Sequence, residues 1–212
     1  MTCTICGKRK AQRFCPAKGE KICAVCCGKE REISIGCASD CSYLLAAHRY
    51  EDEHRQPIPP DTPLLDVELP RDVVHTQQKL IAALAFSVAK FCATQPAATD
   101  PDVMAALQAL AETHRTLISG ILYEKPPAAP LALELYAAVG ALLGEIKKQQ
   151  AERSAAAVLK DADIFHVLVF LYRMGLLRTN GRPKSRRFIE FLRAQFPQAR
   201  ELKKEESRII VP

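Results

Sequence analysis

Eight of the nine cysteines in this 212-residue chain lie within the first 41 residues. The run begins at Cys3, ends at Cys41 and contains two Cys-x2-Cys pairs, Cys3/Cys6 and Cys23/Cys26. A two-residue spacer lets both thiolates of a pair reach one tetrahedral ion at about 2.3 Å. The spacing of the cysteines therefore predicts metal binding by the N-terminal segment.

The choice between metal and disulfides depends on the compartment, because thiols stay reduced in the cytosol and small secreted domains are cross-linked. Residues 1–10 contain no apolar run of the kind found in a signal peptide, so we expect a cytoplasmic protein. The apolar stretch 164–171 is far shorter than the roughly 20 residues of a membrane span, and we expect no membrane association. Zinc is the expected ion, and an iron–sulfur cluster is the next alternative.

The N-terminal segment also has too few apolar residues for a core of its own. Domains below about 40 residues usually need disulfides or metals. A structural zinc site can supply roughly 10–16 kcal/mol of apparent binding free energy. We therefore expect two structural Zn²⁺ ions per chain in closed sites. The sizeable apolar side chains of residues 1–41 are Ile5, Phe14, Ile22, Val25, Ile33 and Ile35.

Local patterns predict the secondary structure around the cysteines. Residues 13–15 and 21–23 flank a turn-forming stretch, which predicts a short β-hairpin. Ser39 or Asp40 is expected to cap a helix that runs from about Cys41 to His54. A Cys-x2-Cys turn, a hairpin and a short helix together indicate a two-zinc module over residues 1–56.

The segment resembles the B-box zinc finger in Cys3-x2-Cys6, in Cys15 and in the run 19–26, Gly-Glu-Lys-Ile-Cys-Ala-Val-Cys. A B-box is a cross-brace: ligands one, two, five and six hold one zinc, and the other four hold the second. The resemblance implies the same fold here, together with protein–protein contact. It also implies a first zinc site formed by Cys3, Cys6, Cys23 and Cys26.

The second site departs from the B-box pattern. Its fourth ligand falls on Lys18, which cannot ligate while protonated, and Cys37 and Cys41 replace the later histidine pair. Cys27 is the expected fourth ligand, because it is otherwise a surplus thiol, and His48 is the alternative. On a continuous helix His48 lies about 10.5 Å beyond Cys41, which is too far for one ion. The predicted second site consists of Cys15, Cys27, Cys37 and Cys41.

A zinc-finger-like N-terminus followed by helical sequence also resembles uncharacterised bacterial proteins, and this resemblance implies no activity. Five prolines between Pro57 and Pro70 predict a proline-rich linker over residues 57–71. Within it, residues 64–69 could form a short strand or a docking segment, although a plain extended linker is preferred. The C-terminal tail, residues 201–212, is treated as a separate segment.

Apolar residues recur at intervals of three and four through much of residues 72–200, the spacing of a buried helix face. One helix is expected to open at Asp100-Pro101, with Asp100 as its cap. We therefore predict a mainly α protein: a small hairpin-and-helix zinc module followed by an α-helical bundle of about five helices. The predicted helices include residues 81–91, 101–121, 135–146, 161–177 (expected to be the most buried) and 184–196.

No residue pattern indicates catalysis. The chain has no nucleophile elbow, no phosphate-binding glycine loop and no dinucleotide-binding fingerprint. Cys92, His114 and His166 each occur alone within an apolar helix, so we expect them to be core residues. The sequence predicts a protein that is not an enzyme, with no catalytic residues and no cofactor besides zinc.

The net charge of +6 is unevenly distributed: residues 1–56 carry +3, residues 57–177 carry −3 and residues 178–212 carry +6. Eight thiolates and two Zn²⁺ would change the N-terminal +3 to −1, a poor match for phosphate. We therefore expect a zinc-binding interaction or scaffolding protein with a protein partner. The alternative is nucleic-acid binding through residues 178–204. Its phosphate-binding cations would be Arg182, Lys184, Arg186 and Arg187.

Overall fold

The computed structural model describes residues 1–153 and 159–198, which form eight helices and one two-stranded antiparallel hairpin. Residues 154–158 and 199–200 of the predicted region 72–200, the end of the basic region 178–204 and the tail 201–212 lie outside the described residues. The elements are β1 (Arg13–Cys15), β2 (Glu20–Ile22), α1 (Ala24–Glu30), α2 (Ser42–Glu53), α3 (Val73–Thr76), α4 (Gln78–Thr94), α5 (Asp100–Ile118), α6 (Pro130–Arg153), α7 (Asp161–Leu176) and α8 (Arg187–Gln195).

The hairpin lies where the sequence predicts it, except that its second strand, Glu20–Ile22, begins and ends one residue earlier than expected. Arg13 pairs with Ile22, and Cys15 pairs with Glu20. Gly19 adopts a φ of +66° in the connecting turn, a conformation that glycine reaches at no steric cost. Because side chains alternate along a strand, Cys15 is buried while the neighbouring Phe14 is 54% exposed.

Two features near the hairpin differ from the prediction. Helix α1 was not predicted, and it begins directly after Cys23, whose sulfur accepts a hydrogen bond from the backbone N–H of Cys26 at 3.4 Å. The expectation that Ser39 or Asp40 caps α2 is wrong. Cys41 is the N-cap residue, because its extended backbone directly precedes the first helical residue.

The helical region is built around α5 and α7, which pack along each other. Helix α6 packs on α5, and α4 contacts α6, α7 and α8. Helix α7 is buried on several faces, since Ile164, Val167, Leu168 and Val169 are inaccessible to solvent. Among the described residues, no helix combines the length and the apolar character needed to cross a membrane.

The proline-rich segment 57–71 is docked on the helical region. Leu64 is 2% exposed and packs in the core with a φ of +65°, which is rare for a residue with a side chain. The guanidinium of Arg173 donates to the carbonyls of Leu64, Leu65 and Val67. No strand lies in this segment, so residues 64–69 are the docking segment of the alternatives above.

Asp100 has a different role from the one expected. It is fully buried, and its carboxylate accepts hydrogen bonds from the Ser185 hydroxyl at 2.7 Å and from the backbone N–H groups of Phe188 and Ile189. Asp100 therefore caps α8, and it is the first residue of α5, not its cap. The N-cap of α5 is Thr99, whose backbone N–H donates to the carboxylate of Asp102 at 2.9 Å.

Candidate metal centre

The structure brings together the four cysteines of the first predicted site. Cys3 and Cys6 belong to the N-terminal loop, Cys23 precedes α1, and Cys26 lies within α1. Their sulfur atoms all lie within 4.8 Å of one another. Cys3, Cys23 and Cys26 are at most 7% exposed. These four cysteines could hold a metal ion.

Backbone N–H groups point at the sulfurs of this cluster. The N–H of Cys23 donates to the sulfur of Cys3 at 3.2 Å. Gly7 turns the chain after the first pair with a φ of +63°, and its N–H donates to the carbonyl of Cys3 at 2.8 Å. An N–H that donates to sulfur, such as that of Cys23, stabilises negative charge on the sulfur and orients it, which is how chain segments around a metal tune their ligands.

The thiol pKa values within this cluster differ widely. Hydrogen bonds from the backbone N–H groups of Lys8 and Arg9 lower the pKa of Cys6 to about 6. Burial, together with the neighbouring thiols, raises the pKa of Cys26 to about 12. Adjacent thiolates repel one another, so the four can ionise together only when a cation neutralises them.

The donor set fits a tetrahedral thiophilic ion. Sulfurs bound to zinc at about 2.3 Å lie about 3.8 Å from one another, so the cluster needs to contract by no more than about 1 Å to bind it. Four thiolates select zinc or iron over magnesium or calcium. Four protein ligands also leave no open position for a substrate, which is the arrangement of a structural site.

The four cysteines of the second predicted site surround one small cavity of about 20 Å³. Burial raises the pKa of Cys37, and the charges of Glu32, Cys15 and Cys41 raise it further. The sulfurs are more widely spaced than those of the first cluster, because they do not form a group within 4.8 Å among the described residues. The cavity is lined by Cys15, Cys27, Cys37 and Cys41 together with apolar neighbours.

His48, the alternative ligand, does not line this cavity. Its Nε2 atom lies 2.9 Å from a carboxylate oxygen of Glu32. Glu32, His48 and Glu51 form a second group of ligand atoms within 4.8 Å of one another, a donor set that could also bind a metal ion. Sequence reasoning missed Glu32, because a single glutamate in a loop gives no signal that its side chain is buried.

The carboxylates of the Glu32 group already have hydrogen-bond and ion-pair partners within the chain. The amide nitrogen of Asn180 donates to Glu32 at 2.8 Å and to Glu51 at 3.1 Å, and Arg182 forms an ion pair with Glu51 at 3.1 Å. Burial alone would raise the pKa of Glu32, but hydrogen bonds from His48 and Asn180 and the charge of Arg182 hold it below its usual value. The group therefore joins distant parts of the chain.

The cations of the proposed nucleic-acid surface have partners within the chain. Arg182 donates to the carbonyl of Arg31 at 2.9 Å, and the ammonium of Lys184 donates to the carbonyl of Ser34. The remaining two cations, Arg186 and Arg187, contact residues outside the loop 31–35. Arg186 donates to the carbonyl of Pro96 at 2.8 Å, and Arg187 forms two hydrogen bonds with the carboxylate of Asp52 at 2.6 and 2.7 Å.

The isolated cysteine and histidines of the helical region lie among core residues. Cys92 is 1% exposed, and burial raises its pKa to about 12, so it remains a neutral thiol. His114 is 8% exposed and pairs through Nδ1 with Asp161 at 2.8 Å, a carboxylate on another helix. His166 is partly buried beside Phe165.

Comparisons of the chain with protein-family models, with curated proteins and with solved structures gave no match. The B-box resemblance therefore depends on the cysteine spacing and on the local geometry alone. That geometry consists of a tight cluster of four cysteines, a hairpin, and a second set of cysteines around one cavity.

Proposed function

We propose that this chain is a zinc-binding, non-enzymatic protein-interaction or scaffolding protein. Its N-terminal module, residues 1–56, contains two structural Zn²⁺ ions in a B-box-like cross-brace, and a helical bundle supports the module. The observation that carries the proposal is the group of four cysteine sulfurs within 4.8 Å of one another. The ligands of the first ion are Cys3, Cys6, Cys23 and Cys26.

Two properties of the first cluster support a structural role for the metal. Four thiolate ligands complete the coordination of zinc, so the ion has no position for water or substrate. The apolar interior of the module is small, with Ile22, Ile35 and Leu44 as its buried aliphatic residues. Metal binding therefore supplies the folding free energy that apolar burial cannot.

The second ion is assigned to the cavity between the hairpin and α2. A volume of about 20 Å³ is close to that of a single water-sized probe, which also suits one ion. Cys27 lines this cavity, whereas His48 is hydrogen-bonded to Glu32 outside it. The ligands of the second ion are Cys15, Cys27, Cys37 and Cys41.

The surface of the module supports a protein partner. Phe14 and Tyr43 border the same cavity from the hairpin and from α2, so they lie close together, and the guanidinium of Arg13 lies 4.6 Å from the centre of the Tyr43 ring. Clustered aromatic and arginine side chains are enriched at protein–protein interfaces. Large apolar side chains of the module that are 36–54% exposed are Ile5, Phe14, Val25, Ile33, Tyr43 and Leu45.

The contacts of the basic segment weigh against the nucleic-acid alternative. Phosphate binding would have to compete with the ion pairs of Arg182 with Glu51 and of Arg187 with Asp52. If the alternative is correct, binding to duplex DNA or single-stranded RNA will fall steeply with salt. It will also be lost when Arg182, Lys184, Arg186 and Arg187 are neutralised together.

The protein-partner proposal can be tested by affinity capture. The tagged, zinc-loaded chain is incubated with an extract of the organism that encodes it, and the retained proteins are quantified by mass spectrometry. Phe14→Ser removes a ring that is 54% exposed at the rim of the second cavity, and we expect it to reduce recovery of a specific partner by about tenfold, equivalent to about 1.4 kcal/mol.

The matched control is Lys18→Ser, which alters an exposed polar residue in the turn of the same hairpin. It should retain the partner, and both variants should retain the wild-type zinc content. If the wild type and Phe14→Ser recover the same proteins in the same amounts, the proposed interaction surface is incorrect.

A further inference from the structure

Residues 178–186, which we term the connector, join α7 to α8 and contact the loop formed by residues 31–35. This loop lies in the chain between Cys27 and Cys37, two proposed ligands of the second ion. The connector is distant in sequence, since Asn180 and Glu32 are 148 positions apart. Their contact therefore links the metal module to the helical region.

Hydrogen bonds from the connector hold this loop at several points. The backbone N–H of Lys184 donates to the carbonyl of Glu32 at 2.7 Å, and the guanidinium of Arg182 donates to the carbonyl of Arg31 at 2.9 Å. The Lys184 ammonium donates to the carbonyl of Ser34. Asn180 adds a hydrogen bond to the side chain of Glu32. The connector thus binds both the backbone and the buried carboxylate of the loop.

The same loop forms part of the second metal cavity. Arg31 and Ile35 line the cavity together with the four cysteines. The backbone N–H of Glu32 donates to the carbonyl of Ile35 at 3.1 Å, so Glu32 contacts a residue that lines the cavity. Glu32 has a φ of +54°, which is unfavourable for a residue with a side chain, so its conformation depends on the surrounding contacts. Loss of the connector contacts should therefore let this wall of the cavity relax.

We propose that docking of the connector controls how tightly the second site retains its metal. This inference rests on the assignment of the second ion in the proposed function. Because coupling between two binding events is reciprocal, the metal in turn strengthens docking of the connector. A partner that displaces the connector would weaken metal binding at the second site and leave the first site, Cys3/Cys6/Cys23/Cys26, unchanged.

The test measures zinc release from the full chain to a chromogenic chelator, with one kinetic phase for each site. Single-site proteins carrying Cys6→Ser or Cys27→Ser assign the two phases. We expect the double variant Asn180→Ala/Arg182→Ala to accelerate release from the second site by about tenfold and release from the first site by less than about twofold.

Arg186→Ala is the matched control. It removes one positive charge from the same connector, but its hydrogen bond goes to Pro96 in the helical region. Neither phase should change by more than about twofold. Lys184→Met provides a milder variant, because it removes only the bond to Ser34 and keeps the backbone contact. It should accelerate release from the second site by about threefold.

The reciprocal effect is measured by limited trypsin digestion. Cleavage after Lys184 should be faster in the Cys27→Ser protein than in the Cys6→Ser protein, because only the former loses the second ion. The coupling would be overturned if the wild type holds two zinc ions and the connector variants release both at the wild-type rate. It would also be overturned if a connector variant accelerated both phases equally. If the wild-type chain holds only one ion, the assignment of the second ion is wrong, and the coupling proposed from it is wrong as well.

Discussion

The carboxylate of Glu32 is buried between parts of the chain that are far apart in sequence. His48 and Asn180 hydrogen-bond to it from 16 and 148 positions away. The cluster of Cys3, Cys6, Cys23 and Cys26 could be predicted, because the spacing of cysteines in the sequence is the chemical signal. Glu32 could not be predicted, because its burial depends on where the connector docks.

Replacement of single ligands distinguishes the two candidates for the second site. We expect Cys27→Ser to lower the metal content by one ion per chain, because the hydroxyl replaces a thiolate in the cavity. His48→Ala should leave the metal content unchanged, since its Nε2 faces Glu32. Elemental analysis of the purified variants measures both. If His48→Ala lowers the content and Cys27→Ser does not, the assignment of the fourth ligand is wrong.

His114 makes stability depend on pH. Burial lowers its pKa below the usual value, although Asp161 opposes the shift. The unfolded chain therefore takes up this proton first, so the contribution to stability is complete above about pH 6.5 and is lost as the pH falls toward the folded pKa. Burial would raise the pKa of Asp161, but Lys147 and His114 hold it low, so its contribution is lost only below about pH 4.

We therefore expect His114→Gln to lose less stability than the wild type as the pH falls below about 6.5. Urea unfolding of the zinc-loaded proteins at a series of pH values measures the difference. Zinc release is common to all the proteins and cancels in the comparison. His75→Gln, which changes an exposed histidine, should follow the wild-type profile. A His114→Gln profile that matches the wild type would contradict the role of His114.

At the scale of elements, the sequence predicts helices and strands that depend on local residue patterns. It does not predict contacts between segments that are far apart in the chain. The hairpin and α7 follow from local turn residues and apolar periodicity. Helix α1 is short and carries cysteines where an apolar stripe would be expected, so periodicity gives no signal for it. The docking of Leu64 depends on Arg173, 109 positions away. The cap of α8 likewise comes from Asp100, on another helix.

Two glycines in helices should respond to alanine with opposite signs. A Cβ at Gly175 in α7 would overlap the sulfur of Met104 and lie 3.0 Å from the ring of Phe188, which is fully buried. Gly175→Ala should lower the free energy of unfolding by about 1–3 kcal/mol. A Cβ at Gly144 in α6 meets nothing within 4 Å, so Gly144→Ala should raise it by about 0.5–1 kcal/mol.

Urea denaturation of the two glycine variants at one pH measures both effects. The exposed position of Gly144 makes its variant the matched control for helix propensity. If both alanine variants were stabilised, α7 and α8 could not pack as closely at Gly175 as the structure has them.

At the scale of the whole molecule, the charge of the C-terminal segment has an internal role. Two cations of the connector, Arg182 and Lys184, contact Glu51 and the carbonyls of the loop 31–35, and Arg187 at the start of α8 pairs with Asp52. The sequence predicted where the positive charge lies along the chain. It could not predict that acidic side chains of α2 neutralise part of that charge, because this pairing requires the three-dimensional fold.

The metal content of the intact chain tests the account most directly. Native mass spectrometry of the full-length protein, combined with elemental analysis, gives the number and identity of bound ions. The account predicts two zinc ions per chain, both lost on acidification as the thiolates are protonated. A chain that binds a single ion, or one that contains iron, would contradict it.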